Sequence, residues 1–249
     1  MKGVQIFSHS VRQVMDNLGP ALKVSGVLYL VQVVISGALG YALAGSGMGM
    51  MGGGMGLGVV LVLVVTLITS IWIAVAWHRY VLLGEEPAGY VPPFMGERMG
   101  SYFIKSLMIG LVLLVLNMIL GMVIMGLFGR LLMGNVVIAM FLMAIMVLVP
   151  MIYLGLRLSA ALPGTALDQN PPLLAGWEAT AGEWRPLLQL AVIMALAIWV
   201  VNLISWLVFG GYGVMAQLWQ VIASWPVTMV GLSILTTLYG HYIEKRPLV

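Results

Sequence analysis

The stretch "GLGVVLVLVVTLITSIWIAVAWHRYVLLGEEP", Gly56 to Pro87, decides how the chain is read. From Gly56 to Trp77 it carries no charge. At about 1.5 Å per residue, such a run crosses roughly 30 Å of hydrocarbon as one helix. Trp77, His78, Arg79, Tyr80, Glu85 and Glu86 then follow within a few turns. Either a helix leaves a bilayer here, or a catalytic cluster stands at the mouth of a membrane pocket.

The rest of the chain supports a membrane setting. Of 249 residues, 62% are apolar and 8% charged, with mean hydropathy +1.09. Soluble domains carry about a quarter charged residues. Eleven basic and eight acidic side chains cannot cover a water-facing surface of this size, so an integral membrane protein is expected. Cysteine is absent, which excludes disulfides, thiolate metal sites and cysteine nucleophiles and leaves the redox compartment open. The net charge of +3 reads as cations held on one side of a membrane, and no nucleic-acid partner is expected.

Five further runs match the first, giving expected spans at 24–44, 56–77, 106–128, 136–156, 187–209 and 218–239, with 1–23 as an interfacial segment. The whole chain, 1–249, then forms one transmembrane domain. Ten of the eleven basic residues fall on one side of this layout, and Arg130 alone falls on the other. All eight acids share the basic side. The positive-inside rule makes that side, with both termini, cytoplasmic. The outer face is expected to be three short turns, "GSGMGMMGGGM", "GLFGRLLMGN" and "GGYG". A cleaved signal ending at "ALA", Ala42 to Ala44, is the lesser reading, because the region before the apolar run is long and amphipathic.

The chain also reads as three copies of one unit. Asp16, Glu97 and Glu183 precede the odd spans, and His78, Arg157 and His241 follow the even ones. The acid-to-base separations are 62, 60 and 58 residues. Each copy would be a surface segment, a helix out, a turn and a helix back. The first surface segment places Val4, Phe7, Val11, Val14 and Leu18 at helical spacing, with Lys2, His9, Arg12 and Asp16 between them. The fold class is therefore all-α: six transmembrane helices as three pseudo-repeated hairpins with amphipathic interfacial helices.

With "WHRYVLLGE" after span two and "RLSAALPGTALD" after span four, this layout resembles the six-helix membrane domain of bacterial glycerophosphoryl diester phosphodiesterases and its stand-alone inner-membrane relatives. The resemblance covers most of the chain and implies a bacterial inner-membrane location. The phosphodiesterase barrel is absent from this sequence, so that activity does not carry over.

Candidate sites are few. Trp77 and Tyr80 have the apolar body and polar tip of interface residues, and Arg79 and His78 can reach a lipid phosphate. The recurrence of a base at Arg157 and His241 favours a common anchoring role at lipid-headgroup depth. The competing reading makes His78 or Glu85 a general base beside a phosphate-holding Arg79, but no nucleophile, metal or second acid stands at a recognised spacing. Gln32, Asn117 and Asn202 lie inside spans, where an amide seeks a partner across a helix interface or lines a polar path. Met48, Met50, Met51 and Met55 could offer soft Cu(I) ligands on the outer face, although methionine as apolar filler is the preferred reading.

Ser36, Gly40 and Ala44 form a small-residue stripe on span one, and Pro150 and Pro226 are expected to bend spans four and six. Trp199, Trp206, Trp219 and Trp225 are expected as an aromatic belt.

No span has a charge near its middle, and no nucleotide-binding, zincin or nucleophile-elbow motif occurs. The expected function is non-enzymatic and without cofactor: a scaffold, an accessory subunit or an inner-leaflet lipid-interacting protein. Its expected partners are membrane lipids and either other membrane subunits or copies of itself. A passive channel along the axis between the repeats is the alternative, and a lipid-headgroup enzyme at His78, Arg79 and Glu85 comes third.

Overall fold

The computed structural model describes residues 1–45, 54–134, 144–210 and 213–248, without the side chains of 40–45, 54–57, 132 and 144. Every regular element among the described residues is helical. In chain order these are α1 (Lys2–Met15), α2 (Leu18–Gly45), α3 (Gly54–Leu83), α4 (Gly96–Gly134), α5 (Val149–Ser159), α6 (Pro163–Ala166), α7 (Ala175–Ala179), α8 (Trp184–Phe209) and α9 (Val214–Leu238). A π-helical turn, Ala144–Leu148, leads into α5, and another, Tyr239–Ile243, follows α9. Among the described residues, five helices (α2, α3, α4, α8 and α9) are long and apolar enough to cross a membrane. The fourth expected span falls partly on 136–143, outside the described residues, and its described part is a shorter apolar helix, Ile145–Ser159.

Two expected boundaries shift for physical reasons. The turn expected in "GLFGRLLMGN" is helical as far as Gly134, so α4 runs for 39 residues, about 58 Å at helical rise. Gly126 and Gly129 do not break it, because in hydrocarbon a helix loses its hydrogen bonds if it stops and gains none from water. The π turn before α5 ends just ahead of Pro150. The wider turn makes room for a ring that cannot donate to the helix and would collide with the preceding carbonyls.

The first helix is amphipathic, as expected, and of the apolar set Val14 is buried in the bundle and Phe7 packs against it. Gly3, Ile6, Ser10 and Val14 are buried against α8 and α9, while Val4 and Leu18 are exposed. Small residues decide this. A Cβ on Gly3 would meet the Pro186 carbonyl at 2.5 Å, so only glycine lets α1 sit that close to α8. Ser10 Oγ donates to the Ile6 carbonyl at 2.8 Å and stands 3.0 Å from Thr237 Oγ1, from whose hydroxyl it can accept. An interfacial helix has two apolar neighbours, protein and lipid, and hydrophobic spacing alone does not separate them.

The helices close into a circuit in which α3, α4, α5, α8 and α9 each pack on the next and α9 returns to α3. The second helix flanks α3, and α1 lies across α8 and α9. Three apolar clusters fill the circuit near the ends that carry the charged residues. One joins Ile6, Leu156, Leu187, Leu190 and Leu238; a second joins Ile71, Val75, Tyr102, Ile109 and Leu162; a third joins Val14, Val24, Ile73, Trp77 and Met229. The helices α2 and α3, α4 and α5, and α8 and α9 are in contact. The surface elements before them differ: a 14-residue helix precedes α2, a five-residue helix precedes α8, and α4 starts directly at Gly96.

Candidate functional site

Successive residues on a helix point about 100° apart, so four in a row face all round the axis. At the end of α3 all four find a different neighbour. Trp77 Nε1 donates to Ser233 Oγ of α9 at 2.9 Å. His78 lies between Thr236 of α9 (Nδ1, 2.8 Å) and Tyr102 of α4 (Nε2, 3.2 Å). Arg79 turns toward the segment after α6, and Tyr80 donates to Asn17 Oδ1 at the α1–α2 junction at 2.7 Å. Trp77 and His78 are both 0% exposed, so within this chain neither side chain is at a surface where it could meet a headgroup. The C-terminal end of α3 is the hub of the bundle.

The donors around His78 can be assigned in order. Thr236 Oγ1 gives its proton to the Leu232 carbonyl at 2.9 Å, so it accepts from His78 Nδ1–H, and Nε2 then accepts from the Tyr102 hydroxyl. The chain Tyr102 → His78 → Thr236 → Leu232 is closed, with each polar atom matched. It ties α4, α3 and α9 together through groups that would be costly to leave bare in an apolar setting.

Arg79 anchors an ion network at the edge of this hub. It grips Glu85 with both carboxylate oxygens engaged, Nε to Oε2 at 2.7 Å and Nη2 to Oε1, and its Nη1 donates to the Ala166 carbonyl at 2.8 Å. Asp168 Oδ2 stands 3.6 Å from Nη1. The Arg98 fork holds both oxygens of Asp168 at 2.7 Å. Those hydrogen bonds, with the charges of Arg98 and Arg79, hold the Asp168 carboxyl below its ordinary value. Asp168 takes a left-handed backbone, φ 62°, which Asp tolerates better than most residues. Next to it Gln169 accepts from the Tyr239 hydroxyl, and the Pro171 carbonyl accepts from Lys105. The segment after α6 is thus held from α3, α4 and the end of α9.

Arg157 makes a separate tie. Its guanidinium lies 3.6 Å from the centre of the Trp177 ring, with Nε donating to Thr180 Oγ1 at 3.1 Å and Nη2 to the Trp177 carbonyl at 3.0 Å. Gly176 permits this docking of α7, since a Cβ there would stand 2.6 Å from the Arg157 carbonyl. His241 donates from Nδ1 to the Arg246 carbonyl at 3.0 Å in the C-terminal tail. The three bases expected to play one role thus have three unrelated settings: a buried junction, an aromatic shelf and a tail.

The intramembrane amides also divide. Gln32 Nε2 reaches Thr69 Oγ1 at 2.7 Å and Ser70 Oγ at 3.1 Å, an interhelical tie between α2 and α3. Asn202 donates to the Ile198 carbonyl of its own helix at 2.8 Å, and both Asn202 and Asn117 are exposed on the protein surface. They do not meet in an interior path. Of the expected belt, Trp199 and Trp206 are exposed, while Trp219 donates to the Val201 carbonyl and Trp225 to Ser25 Oγ. Ser36 is exposed, and the side chains of Gly40 and Ala44 lie outside those described. Met48, Met50 and Met51 lie outside the described residues, as does the side chain of Met55. Among the described residues no three His, Cys, Asp or Glu side chains converge as metal ligands.

Sequence reasoning missed the receiving side of the hub: Tyr102, Ser233, Thr236, Asn17 and Asp168. One signal was available. Ser233, Thr236, Thr237 and Gly240 form a small polar stripe at helical spacing near the basic end of the last span, where a neighbouring helix can approach and bond. No protein-family model, curated protein or solved structure matches the chain.

Proposed function

We propose that the chain is a six-span bacterial inner-membrane protein with both termini in the cytoplasm, and that it works as a scaffold or accessory subunit rather than as a catalyst. The observation that carries this reading is the hub at Trp77–Tyr80. The four residues with the strongest look of chemistry tie α3 to α9, α4, α6 and the α1–α2 junction, and the adjacent Arg79–Glu85 and Arg98–Asp168 forks pair their charges. A catalytic centre needs groups turned toward a substrate space, whereas these are turned toward one another.

The sixth crossing is supported by the common end shared by both tails. Ser10 of α1 bonds Thr237 near the end of α9, and Lys2 pairs with Glu183 at 3.0 Å. Helices that leave and return to one end must come in an even number. The cytoplasmic assignment rests on the ten cations gathered at that end. The likeness to the phosphodiesterase membrane domain is kept here as an expectation of architecture.

The partner would bind laterally. Leu111, Leu114, Val115, Met118, Ile119 and Met122 are all exposed along one face of the middle of α4, a stripe of the kind another helix can cover. Lipid covers part of it, and a membrane subunit or a second copy would cover the rest.

The test is crosslinking in native membranes, followed by native mass spectrometry in mild detergent. A stoichiometric assembly held through α4 is expected, and Leu114→Trp with Met118→Trp should break it. A chain that stays monomeric under crosslinking would contradict the reading.

A further inference from the structure

Beneath the hub, α1, the end of α3, the turn after α9 and the C-terminal tail enclose a cavity of about 210 Å³. Its polar lining is His9, Gln13, Thr236, Thr237, His241 and Arg246, with no acidic side chain among the described residues that line it. Its apolar wall includes Val81 and Leu82, only a turn past the apolar part of α3, so the cavity sits at headgroup depth in the proposed topology. The volume is far more than one water needs and less than the roughly 300 Å³ at which drug-sized pockets begin. It suits a small polar group.

We infer that this cavity binds a phosphate ester that also carries a hydrogen-bond donor, of the phosphoethanolamine kind. Arg246 supplies the anion side. Its Nη2 donates to the Leu82 carbonyl at 3.1 Å and its Nε stands 2.6 Å from Glu244 Oε2, so the guanidinium is held in place while its Nη1 end remains for an anion. Glu244, outside the lining, is ion-paired with that guanidinium by proximity and makes no hydrogen bond to it through Oε2. His241, whose Nδ1 is engaged with the Arg246 carbonyl, also lines the cavity.

The second, independent feature is Gln13. Its side-chain oxygen is buried in this region and has no hydrogen-bond partner among the described residues. A buried acceptor without a donor is destabilising unless a ligand provides one. An ammonium or hydroxyl a few atoms from the phosphate would do so. A bare phosphate would satisfy the cationic side alone.

The site does not depend on the scaffold reading, and it gives a function to residues which that reading leaves unexplained. The test uses the full chain in nanodiscs and in detergent. Phosphorus NMR and native mass spectrometry follow soluble phosphoethanolamine, inorganic phosphate, and nanodiscs of phosphatidylethanolamine against phosphatidylcholine. The parent should prefer phosphoethanolamine to phosphate. Arg246→Gln should weaken both about tenfold, the loss expected for one charge-assisted hydrogen bond.

Gln13→Leu should abolish the preference without lowering thermal stability, because it removes an unmatched acceptor. Lys245→Gln, next to the cavity and not lining it, should change nothing. Binding of the soluble ester assigns the site to the ester group itself. Retention of phosphatidylethanolamine alone assigns it to the lipid. Parent, Arg246→Gln and Gln13→Leu behaving alike toward every probe would overturn the proposal. If Arg246→Gln fails to fold, Gln13→Leu still decides the question.

Discussion

The two ends of the bundle are built on different principles. At the basic end, helices meet through hydrogen bonds, ion pairs and close backbone approaches, and side chains as large as Trp77, Leu187 and Tyr239 are fully buried. Toward the other end the same helices are bare: Leu127 of α4 is 73% exposed and Met133 82%, with Val214 and Trp206 similar on α9 and α8. In a membrane, lipid tails are as apolar as leucine, so apolar faces give helices little reason to associate. Cohesion comes from polar ties and tight approaches, and here these are concentrated at one end. The bare halves then remain available to lipid or to another protein.

This contrast can be broken by substitution. The largest effect is expected at the hub, where Trp77→Ala removes a fully buried indole and leaves Ser233 without its donor. Unfolding in mixed micelles should show a loss of about 4 kcal/mol. Gly176→Ala, which forces a Cβ against the Arg157 carbonyl and the Ala160 and Ala161 amides, should cost about 2 kcal/mol and release α7 from Arg157. A change in Trp177 fluorescence as α7 leaves Arg157 would track it. Gln32→Leu, which cuts the α2–α3 tie higher in the membrane, should cost only about 0.6 kcal/mol.

The Arg98–Asp168 fork sharpens the same comparison through pH. The native carboxyl titrates below its ordinary value of 3.8, so its contribution is complete above that value and disappears as pH falls through the depressed one. The stability gap between parent and Asp168→Asn should therefore be constant at neutral pH and close in strong acid. A gap independent of pH would mean the fork contributes nothing. Smallest of all, Leu114→Ala on the bare part of α4 should change monomer stability by less than about 0.5 kcal/mol. A loss like that at Trp77 would show the outer half to be packed after all.

Much of this contrast was legible in the residues. The uncharged run to Trp77 predicted α3, "GGYG" predicted the end of α8 at Phe209, and the gathered cations predicted a polar end. What the residues could not reveal was pairing. Trp77, His78 and Tyr80 look like interface anchors because their partners at 233, 236 and 17 are far away in sequence, and each partner is an unremarkable Ser, Thr or Asn. Likewise, similar positions in a repeat suggested that Asn117 and Asn202 would match, yet side-chain direction sends both to the surface. The apolar spacing on α1 was legible but its Gly3 and Ser10 contacts were not, because glycine and serine carry no hydrophobic signal, although small size is what lets helices touch.

The central claim is a bilayer-crossing bundle whose locked end, with both tails, faces the cytoplasm. Since the chain has no cysteine, single cysteines report without background. Ser8→Cys, Met51→Cys and Lys245→Cys should be treated with a membrane-impermeant maleimide before and after permeabilisation. The account predicts labelling of position 51 in intact cells and of positions 8 and 245 only after permeabilisation. Labelling of all three from one side would contradict it.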